Sequence, residues 1–264
     1  MKMADARKAA MKLGMSPGYA EDLAWIHEVG FGSLARDGAM TTVALLRRAG
    51  IADGCVVELG CGGGTSAKIM ATAGYQVRGI DLSPAMVDLA QRRVPGGEFT
   101  VGSAYATPVP PCVAVTAIGE VLNYGVGRGT GARAAAALFR RVFEALTPGG
   151  FFVLDLAGPG RAPRDTPACH HRVGRDWAVL VEALESANGA RLERHITAFR
   201  RVGRRFRRTE EIHHLRLYPA GESARLLRAV GFRVTVRRGY AGDEFAPGHR
   251  VFIARRPQAQ RSAA

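Results

Sequence analysis

Glu58, the glycines that follow it and Asp81 are the residues whose types and spacing could do chemistry. The run Val56-Val57-Glu58-Leu59-Gly60-Cys61-Gly62-Gly63-Gly64-Thr65 sets a glycine cluster between an apolar stretch and a segment of helical spacing. Glycines there let backbone approach a ligand closely, and the helix N-terminus that follows favours anionic groups. Asp81 lies 21 residues beyond Gly60, at the end of the next apolar run. A carboxylate at that place can accept hydrogen bonds from both hydroxyls of a ribose. The pattern therefore predicts a nucleoside site. Two details narrow it. A dinucleotide fingerprint counted from Gly60 would end on glycine, and the residue there is Thr65. Glu58 would repel a pyrophosphate, whereas it suits the ammonium of an amino-acid moiety, directly or through the loop it holds.

The elements that must position these residues follow from periodicity. Residues 1–50 read as a helical cap, with apolar spacing in Ala20–Ile26 and Thr42–Leu46 and Gly50 as a stop signal. Short apolar runs then alternate with helical ones. Strands are predicted at Cys55–Leu59, Gln76–Ile80, Glu98–Val101, Val113–Ile118, Phe151–Leu156, Phe232–Arg238 and Arg250–Ala254. Helices fall at Ser66–Ala73, Ser83–Arg93, Arg133–Leu146 and Glu222–Val230, with Ser83-Pro84 a cap and first-turn proline and Gly231 a C-cap. This is an α/β fold, a doubly wound, mostly parallel seven-stranded sheet. Between Asp155 and Glu222 the alternation stops. A Gly- and Pro-rich stretch precedes three alternating runs, Trp177–Glu185, Arg191–Arg201 and Phe206–Leu217, joined by Asn188-Gly189 and Val202-Gly203 turns. They predict a three-stranded antiparallel lid. The expected domains are a cap at 1–50, a core at 51–157 and 219–256, a lid at 158–218 and a disordered tail at 257–264.

In these residues the sequence resembles the class I S-adenosylmethionine-dependent methyltransferases. Glu58-Leu59-Gly60-Cys61-Gly62-Gly63-Gly64 fits the family's acidic-x-Gly-x-Gly-x-Gly form, and Gly79–Met86 and Leu146–Phe151 are also similar to it. The resemblance covers about residues 40–157. It implies S-adenosylmethionine as cofactor and S-adenosylhomocysteine as product. Glu58, Gly60, Cys61 and Gly62 would serve the methionine portion. Asp81 would hold the ribose, Leu82 and Met86 would pack on the adenine, and Ser103-Ala104 would border its edge. Ile118-Gly119-Glu120 would pass beside the cofactor at the mouth of the substrate pocket. Members acting on DNA amino groups carry Asp/Asn-Pro-Pro-aromatic where this chain has Gly119–Tyr124, which points instead to a small-molecule acceptor.

Methyl transfer to a hydroxyl or a protonated amine also needs a proton removed. Alternation on Phe206–Leu217 puts Thr209, Glu211, His213, Leu215 and Leu217 on one face, and the wetter Arg208, Glu210, Ile212, His214 and Arg216 on the other. The first face is expected to cover the pocket. His213 could act as base with Glu211 orienting it, or the two could pair only to stiffen the lid. Asn123 and Tyr124 are candidate acceptor contacts, and Trp177 could stack on the acceptor or simply pack. His27, His170, His171 and His195 read as incidental.

Composition sets outer limits. The net charge of +14 invites a nucleic-acid reading, yet only four of the 37 basic residues are lysines and no aromatic stacking platform interleaves the arginines. Nucleic acid is therefore not the expected partner. Four cysteines without paired spacing predict neither a disulfide framework nor a zinc site. The longest apolar runs fall short of the roughly 20 residues of a membrane helix, and the charged N-terminal segment lacks a signal-peptide core. A cytoplasmic enzyme is expected, with monomer and homodimer both open. The leading reading is transfer of a methyl group to N or O of a small molecule, possible in secondary metabolism. An RNA methyltransferase, a non-catalytic S-adenosylmethionine-binding scaffold and, last, a nicotinamide dehydrogenase are the rivals.

Overall fold

A computed structural model of the protein describes residues 19–124, 131–240 and 244–258. The charged segment at 1–14 and the tail beyond 258 lie outside the described residues. Two helices come first, α1 (Glu21–Gly30) and α2 (Ser33–Arg48). Strands and helices then alternate as β1 (Cys55–Leu59), α3 (Thr65–Thr72), β2 (Gln76–Asp81), α4 (Pro84–Arg93), β3 (Glu98–Val101), β4 (Cys112–Ala117), α5 (Ala132–Ala145) and β5 (Leu146–Ala157). Four strands follow without helices, β6 (Ala168–Val173), β7 (Trp177–Glu185), β8 (Arg191–Val202) and β9 (Arg205–Arg216). The chain returns through α6 (Ala220–Val230), β10 (Arg233–Arg237) and β11 (His249–Arg255).

The main sheet has seven strands in the order β3-β2-β1-β4-β5-β11-β10. All pairs among the first five are parallel, and β11 runs antiparallel to both β5 and β10. The chain crosses from β3 at one edge to β4 on the far side of β1. The strand order therefore reverses between β1 and β4, and the crevice at their C-terminal ends is where such sheets take ligands. Both faces are covered. Val57, Leu59, Val115 and Phe152 pack with Leu138, Phe139, Val142 and Leu227 on one side. Val56, Val77, Ala114 and Val153 pack with Ala39, Leu46, Met70 and Ala90 on the other. Burial on both faces explains why these strands read as continuous apolar runs.

Two expectations are corrected. The strand predicted from Phe151 begins at Leu146, because Leu146 pairs with Cys112 before a register shift reseats the ladder at Ala114 and Phe151. The second sheet has four strands, not three, in the order β6-β7-β8-β9. Its extra strand, Ala168–Val173, pairs antiparallel with β7, and five of its six residues are exposed. An edge strand held by backbone pairing carries no buried stripe, so Cys169-His170-His171-Arg172 shows no apolar alternation to read.

The inner face of the second sheet meets α1. Trp177, Val179, Ile196 and Ala198 pack against Leu23 and Ile26. The buried Asp22 accepts from Arg200 at 3.1 Å and from Arg207. Further along, Ala183, Leu192 and Leu215 close on Ala157 at the end of β5. Among the described residues no helix is long and apolar enough to cross a membrane.

Candidate functional site

The turn after β1 is built from backbone that only glycine adopts easily. Gly60, Gly62 and Gly64 have φ of 74°, 52° and 81°. The Gly60 and Cys61 amides donate to the Ile80 carbonyl at 2.7 and 3.0 Å, pinning the loop to the end of β2. A Cβ at Gly60 would stand 2.4 Å from Val121 Cγ2. A Gly60→Ala protein should therefore lose about 1–3 kcal/mol of stability from left-handed backbone and overlap, and its cavity should narrow. Paired thermal melts and ligand titrations of wild type and variant measure both effects; an unshifted melt would show that the loop yields freely.

Asp81 closes the same loop from β2. Its Oδ2 accepts the Gly62 N–H and its Oδ1 the Ser83 N–H, both at 2.9 Å. Burial pushes this carboxyl up, against the two amides. Ser83 caps α4 by accepting the Met86 N–H at 3.3 Å, and its hydroxyl donates to the Tyr19 carbonyl at 2.8 Å. Tyr19 is thereby held with a φ of 63° beside the glycine loop.

Around these groups lies a cavity of about 1000 Å³ including its open mouth. Gly60, Gly62, Asp81, Leu82, Met86, Ser103 and Ala104 line it, together with Ile118, Gly119, Val121 and Tyr124. Tyr19, His27, Phe31, Leu34 and Ala35 from the helical cap form its roof. Glu28 latches that roof to the floor, accepting the Gly63 N–H at 3.1 Å, the Thr65 hydroxyl at 3.0 Å and Arg93. Burial would raise the Glu28 carboxyl, but His27, Arg93 and Thr65 together bring it down to about 2.

Several candidates stand behind the cavity lining. Glu58 is buried, on the α3 side of β1, where it accepts from Ser66. Burial pushes it up to about 7, against the Ser66 and Thr116 hydroxyls. Its position suits support of the loop from below. Cys61 is likewise buried under the loop, facing Gly79. Glu120 turns away to accept from Arg161 at 2.8 and 3.0 Å and from Arg194 at 2.8 Å. Asn123 locks its turn to the backbone, accepting the Ala157 N–H at 3.0 Å and donating to the Ala157 and Arg216 carbonyls. Trp177 packs against Leu23, Ile26 and Phe31. His213 sits one layer back, with its Nδ1 3.3 Å from the Tyr124 hydroxyl and its Nε2 2.9 Å from Glu211. Glu211 also accepts the Tyr19 and Ala20 amides at 2.7 and 2.9 Å.

Sequence reasoning missed Tyr19, Phe31, Leu34, Ala35, Tyr105 and Val121 and set His27 aside, although all of them line the cavity. The aromatic residues flanking the first predicted helix were a usable signal, since a cap that covers a nucleoside needs flat apolar groups beside glycines.

Residues 56–150 match a family model described as a methyltransferase domain. That stretch is similar to methyltransferase domains, and the fold around it is the class I methyltransferase fold. The methyl donor of this family is S-adenosylmethionine, and the residues present fit it: a carboxylate with free lone pairs at the end of β2, glycines whose backbone borders the cavity, and apolar Leu82 and Met86 beside them. The domain is similar to the trans-aconitate 2-methyltransferase of Paracidovorax citrulli, with 32% identity over 127 residues, 47% of this chain and 44% of that protein. It is also similar to the 18S rRNA (guanine-N(7))-methyltransferase of Mus musculus, with 30% identity over 107 residues, 38% of each chain. The chain thus spans less than half the length of these curated relatives. The fold as a whole matches that of CalS10, an amino pentose methyltransferase of Micromonospora echinaspora, with a TM-score of 0.67, 19% identity and coverage of 97% of both chains.

Proposed function

We propose that this protein transfers the methyl group of S-adenosylmethionine to a nitrogen or oxygen of a small molecule, releasing S-adenosylhomocysteine. The observation that carries this reading is the cavity, lined by the Asp81 carboxylate and the glycine loop and also by the hydroxyl-bearing Tyr19 and Tyr124. The donor supplies an electrophilic methyl on a sulfonium. The protein holds and orients it: Asp81 takes the ribose hydroxyls, Leu82 and Met86 pack on the adenine, and Ser103-Ala104 border its edge. Gly60, Gly62, Ile118 and Gly119 bring backbone beside the methionine portion, with Glu58 and Cys61 bracing the loop beneath. Residues 158–218 back the cavity from behind α1 and Tyr124 rather than lining it. Catalysis is then mainly positioning and exclusion of water.

An RNA acceptor is the second reading, favoured by the net charge of +14 and by the rRNA-modifying relative. Many arginines of the second sheet are already committed to carboxylates, Arg194 to Glu120, Arg200 and Arg207 to Asp22, Arg201 to Asp176 and Arg208 to Glu210. Such pairs leave less charge for phosphates than the composition suggests.

Calorimetric titration with S-adenosylmethionine, S-adenosylhomocysteine and NAD tests the proposal. Both sulfur nucleosides should bind and NAD should not. Asp81→Ala should weaken binding by about ten- to a hundredfold, the range for losing hydrogen bonds to a charged group. Failure of well-folded wild type to bind either sulfur nucleoside would sink the proposal. Methyl incorporation into RNA with steep salt dependence would favour the second reading.

A further inference from the structure

A line of four side chains runs from the lining of the cavity into the second sheet. Tyr19 and Tyr124 place their hydroxyls 3.4 Å apart. The Tyr124 hydroxyl lies 3.3 Å from His213 Nδ1, and His213 Nε2 lies 2.9 Å from Glu211 Oε2. His213 is 2% exposed and does not reach the cavity; Tyr124 does.

The bonding fixes the direction of this line. Glu211 is immobilised, because both of its oxygens already accept backbone amides at Tyr19 and Ala20. A carboxylate so placed can only accept from His213, so the proton of a neutral imidazole sits on Nε2. Nδ1 then carries a lone pair, and the Tyr124 hydroxyl must donate to it. The Tyr124 oxygen then accepts from Arg194 and from the Tyr19 hydroxyl 3.4 Å away, the latter a long contact that a donor in the cavity can replace. An acceptor with an N–H or O–H can supply such a donor, and a carboxylate cannot.

Resting on the methyltransferase reading above, we propose that Tyr124 is a catalytic residue that draws the proton from an amine or hydroxyl acceptor while passing its own to His213. As the acceptor's nitrogen or oxygen bonds to the methyl carbon, the carbon–sulfur bond breaks and its electron pair stays on sulfur. The acceptor's proton goes to the Tyr124 oxygen, the Tyr124 proton goes to His213 Nδ1, and the resulting imidazolium rests on Glu211. His213 and Glu211 are positioning residues, since they act through Tyr124. Burial pushes the Tyr124 phenol up, with Arg194 beside it acting the other way, so the hydroxyl serves as a conduit that stays protonated between turnovers. Arg194 is cross-strand from His213 and is itself tied to Glu120. The titratable and charged groups facing His213 are thus Glu211, Tyr124, Tyr19 and Arg194, with Glu120 behind the last.

Two measurements test the relay. Long-range 1H–15N spectra of histidine-labelled protein with S-adenosylhomocysteine, with His213 assigned through His213→Gln, should show the Nε2–H tautomer. Tyr124→Phe should shift its Nδ1 resonance. A proton on Nδ1, or an Nδ1 signal that ignores Tyr124→Phe, overturns the proposal, and these spectra decide it even when no acceptor probe is methylated. The second measurement follows transfer from methyl-labelled S-adenosylmethionine to amino sugars, phenols and trans-aconitate as probes. Label is expected on the amines or hydroxyls. Tyr124→Phe should cut kcat about a hundredfold with little change in KM, as expected when a proton-transfer group is removed. Unchanged kcat in Tyr124→Phe, or label on trans-aconitate alone, overturns it. Absence of S-adenosylhomocysteine binding in calorimetry would instead strike the methyltransferase reading.

Discussion

Asp155→Ala should unfold about 3–5 kcal/mol more readily than wild type, the cost of removing one member of a buried ionic hydrogen-bonded set. Asp155 has no exposed surface and accepts four donors: the Gly119 and Glu120 amides at 2.8 and 2.7 Å, the Tyr240 hydroxyl at 2.9 Å and His249 Nε2 at 2.7 Å. Alanine would leave all four buried and unpaired. The two amides belong to consecutive left-handed residues, with φ of 96° at Gly119 and 59° at Glu120. A non-glycine residue in that region costs about 1–3 kcal/mol and persists only where its surroundings hold it there. Asp155 does the holding, and the turn it holds carries Ile118 and Gly119 into the cavity. The same variant should therefore lose binding of S-adenosylhomocysteine. Asp155→Asn keeps the shape and one acceptor oxygen, so roughly half the loss is expected of it. Urea unfolding followed by circular dichroism, with calorimetry alongside, measures both. A loss below about 1 kcal/mol, no more than one exchanged hydrogen bond, would mean that the turn stands without the carboxylate.

Those four bonds also show where sequence reading reaches its limit. Glu58, the glycines and Asp81 were legible because a strand, a tight turn and a helix lie next to one another in the chain, and each has its own local signature. The seven strands of the main sheet were legible for the same reason. Asp155 drew no functional notice, because its partners Tyr240 and His249 come from segments about ninety residues on, and no local period announces a shared acceptor. The face of β9 bearing Glu211 and His213 could be read from alternation, since period two assigns sides. What that face touches could not. Alternation does not say that Tyr124 stands between His213 and the cavity, or that Glu211 holds the start of α1. Trp177 illustrates the converse: a large aromatic at a strand start is compatible with stacking or packing, and the packing partner, α1, is some 150 residues away in the chain. Strand β6 was missed because an exposed edge needs only backbone to pair.

The second large effect is a pH dependence centred on Glu120. Burial alone would raise this carboxyl, but the guanidinium groups of Arg194 and Arg161, with His249 nearby, bring it down to about 2 from its model-peptide value of 4.5. The burial of Arg194 is offset in the same way, and Glu120 raises its affinity for its proton. A carboxyl depressed on folding stabilises the native state above its unfolded pKa, and that stability drains away as pH falls through the folded value. With Glu120 only 8% exposed, the shift corresponds to about 3 kcal/mol at neutral pH. About 2 kcal/mol of it should be gone by pH 3, because the unfolded chain then binds the proton that the folded site refuses. Glu120→Gln cannot titrate, so it should be less stable than wild type by about 3 kcal/mol at pH 7 and approach wild type in acid. Glu28 is also lowered to about 2 and is retained in the variant, so some acid sensitivity should persist. Urea unfolding of both proteins from pH 7 to pH 3 provides the comparison. A stability gap that stays constant across that range would show that the two arginines do not depend on the Glu120 charge. A narrowing gap would tie the buried charge of the turn to Arg194, which joins that turn to β8, the strand paired with the one carrying His213. The polar floor of the cavity and the inner face of the second sheet would then be one electrostatic unit, and acid would loosen the cavity together with the fold.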